Sequence, residues 1–248
     1  DGIHSTNGYH PLWLWVLTPF TSIFGPGADT VRALIVLQTA IAALSFVLLA
    51  RLLLRWLPPL AVALGTAVWW LTPLSVLSSV SGVEASLACL MVVLLITVAC
   101  RFVDAPSLGS AAVVGVITGL AFLTRTDTAF AAAAIAVWVL WQVRARPLRT
   151  VATQAGAAAV TALAVVLPWL VWNLATFGTI EQASTRARPM VMWQLATGDT
   201  SPQLAEGVTA ATSYLLENWS VDLGWAPLLA VGALVAACWA WRRFGFPH

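Results

Sequence analysis

The sequence predicts an all-α fold: a polytopic bundle of transmembrane helices with an interfacial helix and an outer-face loop region. Hydrophobic residues make up 60% of the 248 residues and charged residues only 9%, whereas soluble domains carry about 25% charged residues. Several apolar stretches are long enough to cross the hydrocarbon core as helices. They run without the period-two alternation of a membrane β-barrel. These observations exclude a soluble fold.

Seven stretches are apolar and long enough to be membrane spans. The predicted spans cover residues 30–54, 57–77, 85–103, 108–124, 128–143, 151–176 and 226–241. An additional apolar piece, residues 11–24, has a length more typical of an interfacial or re-entrant helix. We therefore expect residues 11–24 to lie in the outer interface of the membrane.

The arginines at the span ends test this arrangement, because eight of the twelve arginines fall on one side of the membrane if residues 11–24 do not cross. They are Arg51, Arg55, Arg101, Arg144, Arg146, Arg149, Arg242 and Arg243. The positive-inside rule makes that side cytoplasmic, which predicts a multi-pass protein of the plasma (inner) membrane. The extracytoplasmic face then carries nine of the ten acidic residues. This clustering marks either a working surface or an ordinary solvated face.

The chain is predicted to form a single transmembrane domain over residues 1–248. Residues 1–27 would form the end of an outer loop with its juxtamembrane helix, and residues 177–225 an outer loop region. The formal charge is only +2 and no basic run sits beside stacking aromatics, so nucleic acid is excluded as a partner. The three cysteines lie inside apolar segments without paired spacing, as small buried hydrophobes do.

Two candidates for chemistry precede apolar helices at the outer face. His10 stands in a polar turn that leads into residues 11–24. A histidine there can donate to a phosphate or exchange a proton near neutral pH, but a purely interfacial hydrogen bond is the alternative. Glu84 closes the pattern Ser81-Gly82-Val83-Glu84, the S-x-x-E of a capping box. Its carboxylate can cap the next helix, meet a sugar hydroxyl, or do both.

Further candidates are basic or acidic residues near the same face. Arg125 and Asp127 lie in a short polar hinge between two predicted spans, and ionisable residues at membrane depth tend to line a cavity or pair with each other. The guanidinium of Arg125 matches a phosphate well, while Asp127 either joins it or caps the following helix. In the later outer loop, Arg186 and Arg188 can attract a lipid phosphate.

The predicted substrate-binding set is therefore His10, Glu84, Arg125, Asp127, Arg186 and Arg188. Asn173 is predicted to close its helix, with a headgroup contact as the alternative. The sequence has no phosphate-binding glycine loop, no zinc-protease helix motif and no Cys/His metal cluster. A cofactor is not identified, and a divalent cation is left open.

The order of the outer-face segments resembles the GT-C membrane glycosyltransferases, in particular bacterial members related to protein mannosyltransferases and aminoarabinose transferases. The similar segments are residues 1–13 (DGIHSTNGYHPLW), 24–25 (FG), 32 (R), 81–84 (SGVE), 119–127 (GLAFLTRTD) and 172–178 (WNLATFG). Together, in this order and on one side of the membrane, they cover most of the chain.

The resemblance implies transfer of a sugar from a polyprenyl-phosphate donor to a lipid, glycan or protein acceptor at the outer face. It implies an inverting reaction in which a carboxylate of the first outer loop is the base and basic residues stabilise the leaving polyprenyl phosphate. The acidic pair of the family lies upstream of the position of Asp1, so we expect the catalytic base outside this chain and the chain to be an N-terminally truncated, inactive fragment. A multi-span transporter and a non-catalytic lipid-binding subunit are the alternatives.

Overall fold

The computed structural model describes residues 7–72, 75–76, 80, 82–180 and 182. It gives bounds for seven α-helices in this part of the chain, which contains no strand. The helices are α1 (Pro11–Phe24), α2 (Ala28–Leu53), α3 (Pro59–Trp70), α4 (Ala85–Asp104), α5 (Leu108–Thr124), α6 (Thr128–Val143) and α7 (Leu148–Phe177). The all-α membrane bundle is thereby confirmed.

The chain divides into two compact units, Asp1–Glu181 and Gln182–His248. All seven helices belong to the first unit. The predicted span at residues 226–241 and nearly all of the predicted outer loop lie outside the described residues. The assignment of the whole chain to one domain stays a prediction.

Three of the helices, α2, α4 and α7, are long and apolar enough to cross a membrane. The others are shorter apolar helices of 14, 12, 17 and 16 residues. The bounds of α1, α5 and α6 coincide with the predicted ones. Whether α3, α5 and α6 cross, and whether α1 lies in the interface, stay predictions.

Proline and glycine set several helix ends. The helix predicted over residues 57–77 is wrong at its C-terminal end, because α3 ends at Trp70. Thr72 precedes Pro73, and the residue before a proline is disfavoured in the α conformation. The long helix α7 ends at Gly178, whose φ of 67° lies in the left-handed region that glycine adopts without strain.

The first helix, α1, packs one stripe against the bundle. Trp13 is buried with Leu87, Leu90 and Met91 of α4 and with Ala121 of α5. Large apolar side chains on the rest of α1, such as Trp15, Ile23 and Phe24, are exposed. Such a helix, apolar both towards the bundle and towards its surroundings, is compatible with a position at a membrane boundary.

Helix α4 is the centre of the bundle and contacts α2, α5 and α6. Helix α5 also packs closely on α7: a Cβ added at Gly115 would collide with the carbonyl oxygen of Ala158, and one at Gly119 would lie 2.8 Å from that of Ala162. Small residues permit this backbone approach between membrane helices. Because the short turn at residues 105–107 makes α4 and α5 antiparallel neighbours, the beginning of α4 and the end of α5 lie at the same end of the bundle.

Candidate functional site

Four of the six predicted site residues meet at one end of the bundle. His10 precedes α1, Glu84 precedes α4, and Arg125 and Asp127 form the turn between α5 and α6. We call these four residues the polar cluster. They come from three separate parts of the chain, so only the folded bundle brings them together.

Arg125 connects the members of the polar cluster. Its Nη1 donates to Glu84 Oε1 at 2.9 Å, while its Nε and Nη2 donate to Asp127 Oδ1 and Oδ2 at 3.0 and 2.7 Å. The second pair is a bidentate fork, the geometry in which guanidinium and carboxylate match best. His10 Nε2 lies 3.4 Å from the same Glu84 Oε1. One carboxylate oxygen therefore has a guanidinium and an imidazole within reach.

The two carboxylates differ in their surroundings. The side chain of Glu84 is 14% exposed and that of Asp127 is 53% exposed, with Arg125 between them at 27%. The hydrogen bonds that Arg125 donates to Asp127 are the main cause that raises the pKa of Arg125; burial opposes this rise, and the charges of Asp127 and Glu84 add to it. Arg125 is thus a permanent cation held in place by one shielded and one solvated anion.

The helix-capping roles considered for Glu84 and Asp127 are wrong. Neither side chain makes a capping hydrogen bond, although each residue stands at the N-cap position of its helix. In a capping box the Glu would be the third residue of the helix, but α4 begins only after Glu84. Both carboxylates instead face Arg125. Ser81, the other half of the expected box, lies outside the described residues.

Gln38 is not among the site residues that the sequence predicted. It is fully buried in α2 and makes hydrogen bonds to the turn that precedes Glu84. The Gly82 N–H donates to Gln38 Oε1 at 3.0 Å, and Gln38 Nε2 donates to the Val83 carbonyl. From α1, Trp13 Nε1 donates to the Gly82 carbonyl at 3.2 Å. A single glutamine inside an apolar span is costly without partners, and this was the signal in the sequence that could have found it.

Aromatic residues of α7 lie beside the N-terminal segment. The ring of Tyr9 is 5.5 Å from that of Trp169, which stacks on Trp172 at 5.0 Å. Asn173 follows one turn after Trp169; it is fully buried, and neither polar atom of its side chain has a hydrogen-bond partner among the residues described. The expectation that Asn173 closes its helix is wrong, because α7 continues to Phe177 and is capped by Gly178.

The remaining predictions about the site are untested. Arg186 and Arg188 lie outside the described residues. Within the described ranges, no group of three or more His, Cys, Asp or Glu side chains is placed to hold a metal ion. The open question of a divalent cation therefore receives no support from these residues.

The chain shows similarity to one known family. A family described as dolichyl-phosphate-mannose-protein mannosyltransferase matches residues 8–172, about two thirds of the 248 residues. The match contains the whole polar cluster together with Gln38 and Trp169, and ends one residue before Asn173. No curated protein and no solved structure matches the chain.

Proposed function

Because the chain belongs to the dolichyl-phosphate-mannose-protein mannosyltransferase family, a GT-C-type family of membrane glycosyltransferases, we propose that the protein takes a sugar from a polyprenyl-phosphate carrier. In this proposal the polar cluster binds the sugar phosphate at the extracytoplasmic face, and the acceptor is a lipid, a glycan or a protein. The observation that carries the proposal is the convergence of three chain segments on Arg125.

The proposed reaction places the largest demand on a cation. The bond between the anomeric carbon and the phosphate oxygen breaks, its electron pair goes to the phosphate, and an acceptor hydroxyl oxygen bonds to the same carbon while its proton passes to a base. The phosphate gains negative charge as it leaves, and a fixed guanidinium stabilises such a charge. An arginine has five N–H donors; three on Arg125 are engaged by Glu84 and Asp127, which leaves two for the phosphate.

Glu84 and His10 have supporting tasks in this proposal. Glu84 orients Arg125 by the 2.9 Å bond to Nη1, and its carboxylate can accept from a sugar hydroxyl. Because Arg125 already engages the Glu84 carboxylate, we do not assign the acceptor proton to Glu84. His10, 3.4 Å from Glu84, supplies a second nitrogen donor near the phosphate.

The test is the substitution Arg125→Gln in the full-length protein. Membranes that contain the protein would be incubated with radiolabelled polyprenyl-phosphate mannose and with matched polyprenyl-phosphate hexoses, and the label transferred to membrane acceptors would be measured. Loss of a single group that stabilises developing charge typically costs about 10²–10³ in rate. We expect a loss of this size for R125Q with whichever donor the wild type uses.

Arg55→Gln is the matched control. Arg55 Nη1 lies 3.3 Å from Asp104 Oδ2, so this substitution also removes an arginine–carboxylate pair between chain segments, but at the opposite end of the bundle. We expect R55Q to transfer sugar like the wild type. The proposal fails if R125Q keeps its activity, or if R55Q loses as much as R125Q while both proteins remain folded.

A further inference from the structure

The bundle contains a cleft whose lining includes no residue of the polar cluster. It has a volume of about 370 Å³, within the range of about 300–1,000 Å³ that is typical of ligand pockets. Helices α6 and α7 form its walls through small residues such as Ala136 and Ala159, and α5 forms its floor around Gly115 and Thr118. Its lining runs from Ala132, about one turn into α6, to Val143 and Val151, which flank the turn between α6 and α7.

The lining of the cleft is almost entirely apolar, with one buried exception. Gln154 lines the cleft and is 7% exposed, yet its Oε1 has no hydrogen-bond partner within the described part of the chain. A buried polar atom without a partner is destabilising. Gln154 therefore makes the end of the cleft that lies near the arginine-rich turn polar.

That turn carries three arginines in six residues, Arg144, Arg146 and Arg149. Arg146 donates through Nη2 to the Val103 carbonyl at 3.2 Å, but its buried Nη1 is unpartnered among the residues described. The guanidinium of Arg144 lies 4.2 Å from the centre of the Trp141 ring. Asp104, the one acidic residue that the sequence places at this end, pairs with Arg55 instead.

We propose that this cleft binds an anionic phospholipid, with one acyl chain between α6 and α7 and the phosphate at Arg144, Arg146 and Arg149. We infer the kind of ligand from the shape and the charges of the site. The cleft is apolar along the helices, and it ends at arginines that no described carboxylate neutralises. Its arginines lie at the end of the bundle opposite the polar cluster, and its lining contains no residue of that cluster.

The test measures lipid bound to the full chain purified in mild detergent. Native mass spectrometry would record retained lipid, and thermal unfolding would be followed during titration with phosphatidylglycerol or phosphatidylcholine. We expect phosphatidylglycerol to be retained and to stabilise the protein, and phosphatidylcholine to do neither. An arginine near anionic lipid contributes about 1 kcal/mol, so each Arg→Gln change at residues 144, 146 and 149 should weaken binding about fivefold.

Packing variants separate the cleft from the surface charge. Ala136→Leu with Ala159→Leu fills the cleft and should abolish retention, whereas Ala134→Leu, on an exposed part of α6 outside the lining, should leave it unchanged. If the filled variant does not fold, the arginine variants carry the test, because they leave the helix packing intact.

Three outcomes would overturn the proposal. One is equal stabilisation by the two lipids, which would show that the arginines recognise no charge. Another is undiminished phosphatidylglycerol binding by A136L/A159L or by the triple arginine variant. The third is a disulfide between Ala136→Cys and the natural Cys238 in membranes, which would mean that a later segment of the chain fills the cleft.

Discussion

The contact between Arg125 and Glu84 should stabilise the protein more than the contact between Arg125 and Asp127, although the second has more hydrogen bonds. The Asp127 fork has two bonds, at 3.0 and 2.7 Å, and Glu84 has one, at 2.9 Å. Distances alone would therefore favour Asp127. Burial favours Glu84, whose side chain is 14% exposed against 53% for Asp127. The contact between Arg125 and Glu84 also links chain segments that are 41 residues apart.

The expected magnitudes follow from this difference in exposure. A hydrogen bond to a charged group contributes about 1.5–3 kcal/mol. Because Arg125 is partly exposed, we expect Glu84→Gln to lower the free energy of unfolding by an amount near the lower end of this range, about 1.5 kcal/mol. A half-exposed pair between near neighbours contributes about 0–1 kcal/mol, so Asp127→Asn should cost about 0.5 kcal/mol. Arg125→Gln leaves the shielded Glu84 without its guanidinium partner and should cost about 2–3 kcal/mol, less than the 3–5 kcal/mol of a fully buried pair.

The assay is a double-mutant cycle on equilibrium unfolding. The protein would be unfolded in mixed micelles with a rising fraction of sodium dodecyl sulfate, and helix content would be followed by circular dichroism. The cycle isolates the pairwise energy from the other effects of each substitution. We expect a coupling of about 1–1.5 kcal/mol between residues 84 and 125, and of at most about 0.5 kcal/mol between residues 125 and 127.

A coupling near zero between residues 84 and 125 would refute this reasoning. So would a larger coupling for residues 125 and 127, because bond number would then outweigh burial. Arg55→Gln combined with Asp104→Asn is the internal reference: that pair is 40% and 66% exposed, and its coupling should lie within about 0.5 kcal/mol of zero.

Two further predictions concern the turn at residues 82–83 and the orientation of the bundle. Gln38→Leu leaves two backbone groups of that turn without their partner. It should therefore lower the free energy of unfolding by about 2–3 kcal/mol and reduce sugar transfer. The control Thr39→Val, on the exposed side of α2, should change neither the stability nor the transfer. In a chain whose natural cysteines are replaced, a membrane-impermeant maleimide should label Thr126→Cys in intact cells but Arg149→Cys only after permeabilisation; the reverse pattern would invert the proposed topology.

The sequence was sufficient for most of the helices because their ends carry local signals. Residues 108–124 and 128–143 were predicted with the bounds that the structure shows, since polar turns interrupt continuous apolar runs there. The end of α3 differs from the prediction because the apolar run continues through Thr72 and Pro73 to residue 77. Hydrophobicity alone predicts a continuous helix there, whereas the proline disfavours the α conformation of the residue before it.

The candidate site was predictable in its location but not in its connections. Alternating span ends bring the segments of His10, Glu84 and Arg125 to one end of the bundle, and the structure shows them in contact. The sequence could not predict the partners of Glu84 and Asp127, because a carboxylate can either cap a helix or form an ion pair. Gln38 escaped notice since its partners are backbone groups 44 and 45 residues away, and backbone groups leave no trace in a sequence pattern.

The two carboxylates of the polar cluster, similar as sequence features, have different tasks in the proposed function. A phosphate that approaches Arg125 reaches it first through the two N–H groups that are not engaged, and can gain more only by displacing a carboxylate. Asp127 is the easier to displace, because water can solvate it once it is released. Releasing the shielded Glu84 would leave a largely buried carboxylate without its guanidinium partner. In the proposed function, Glu84 would therefore keep the guanidinium oriented, while Asp127 would be the carboxylate that the donor phosphate displaces.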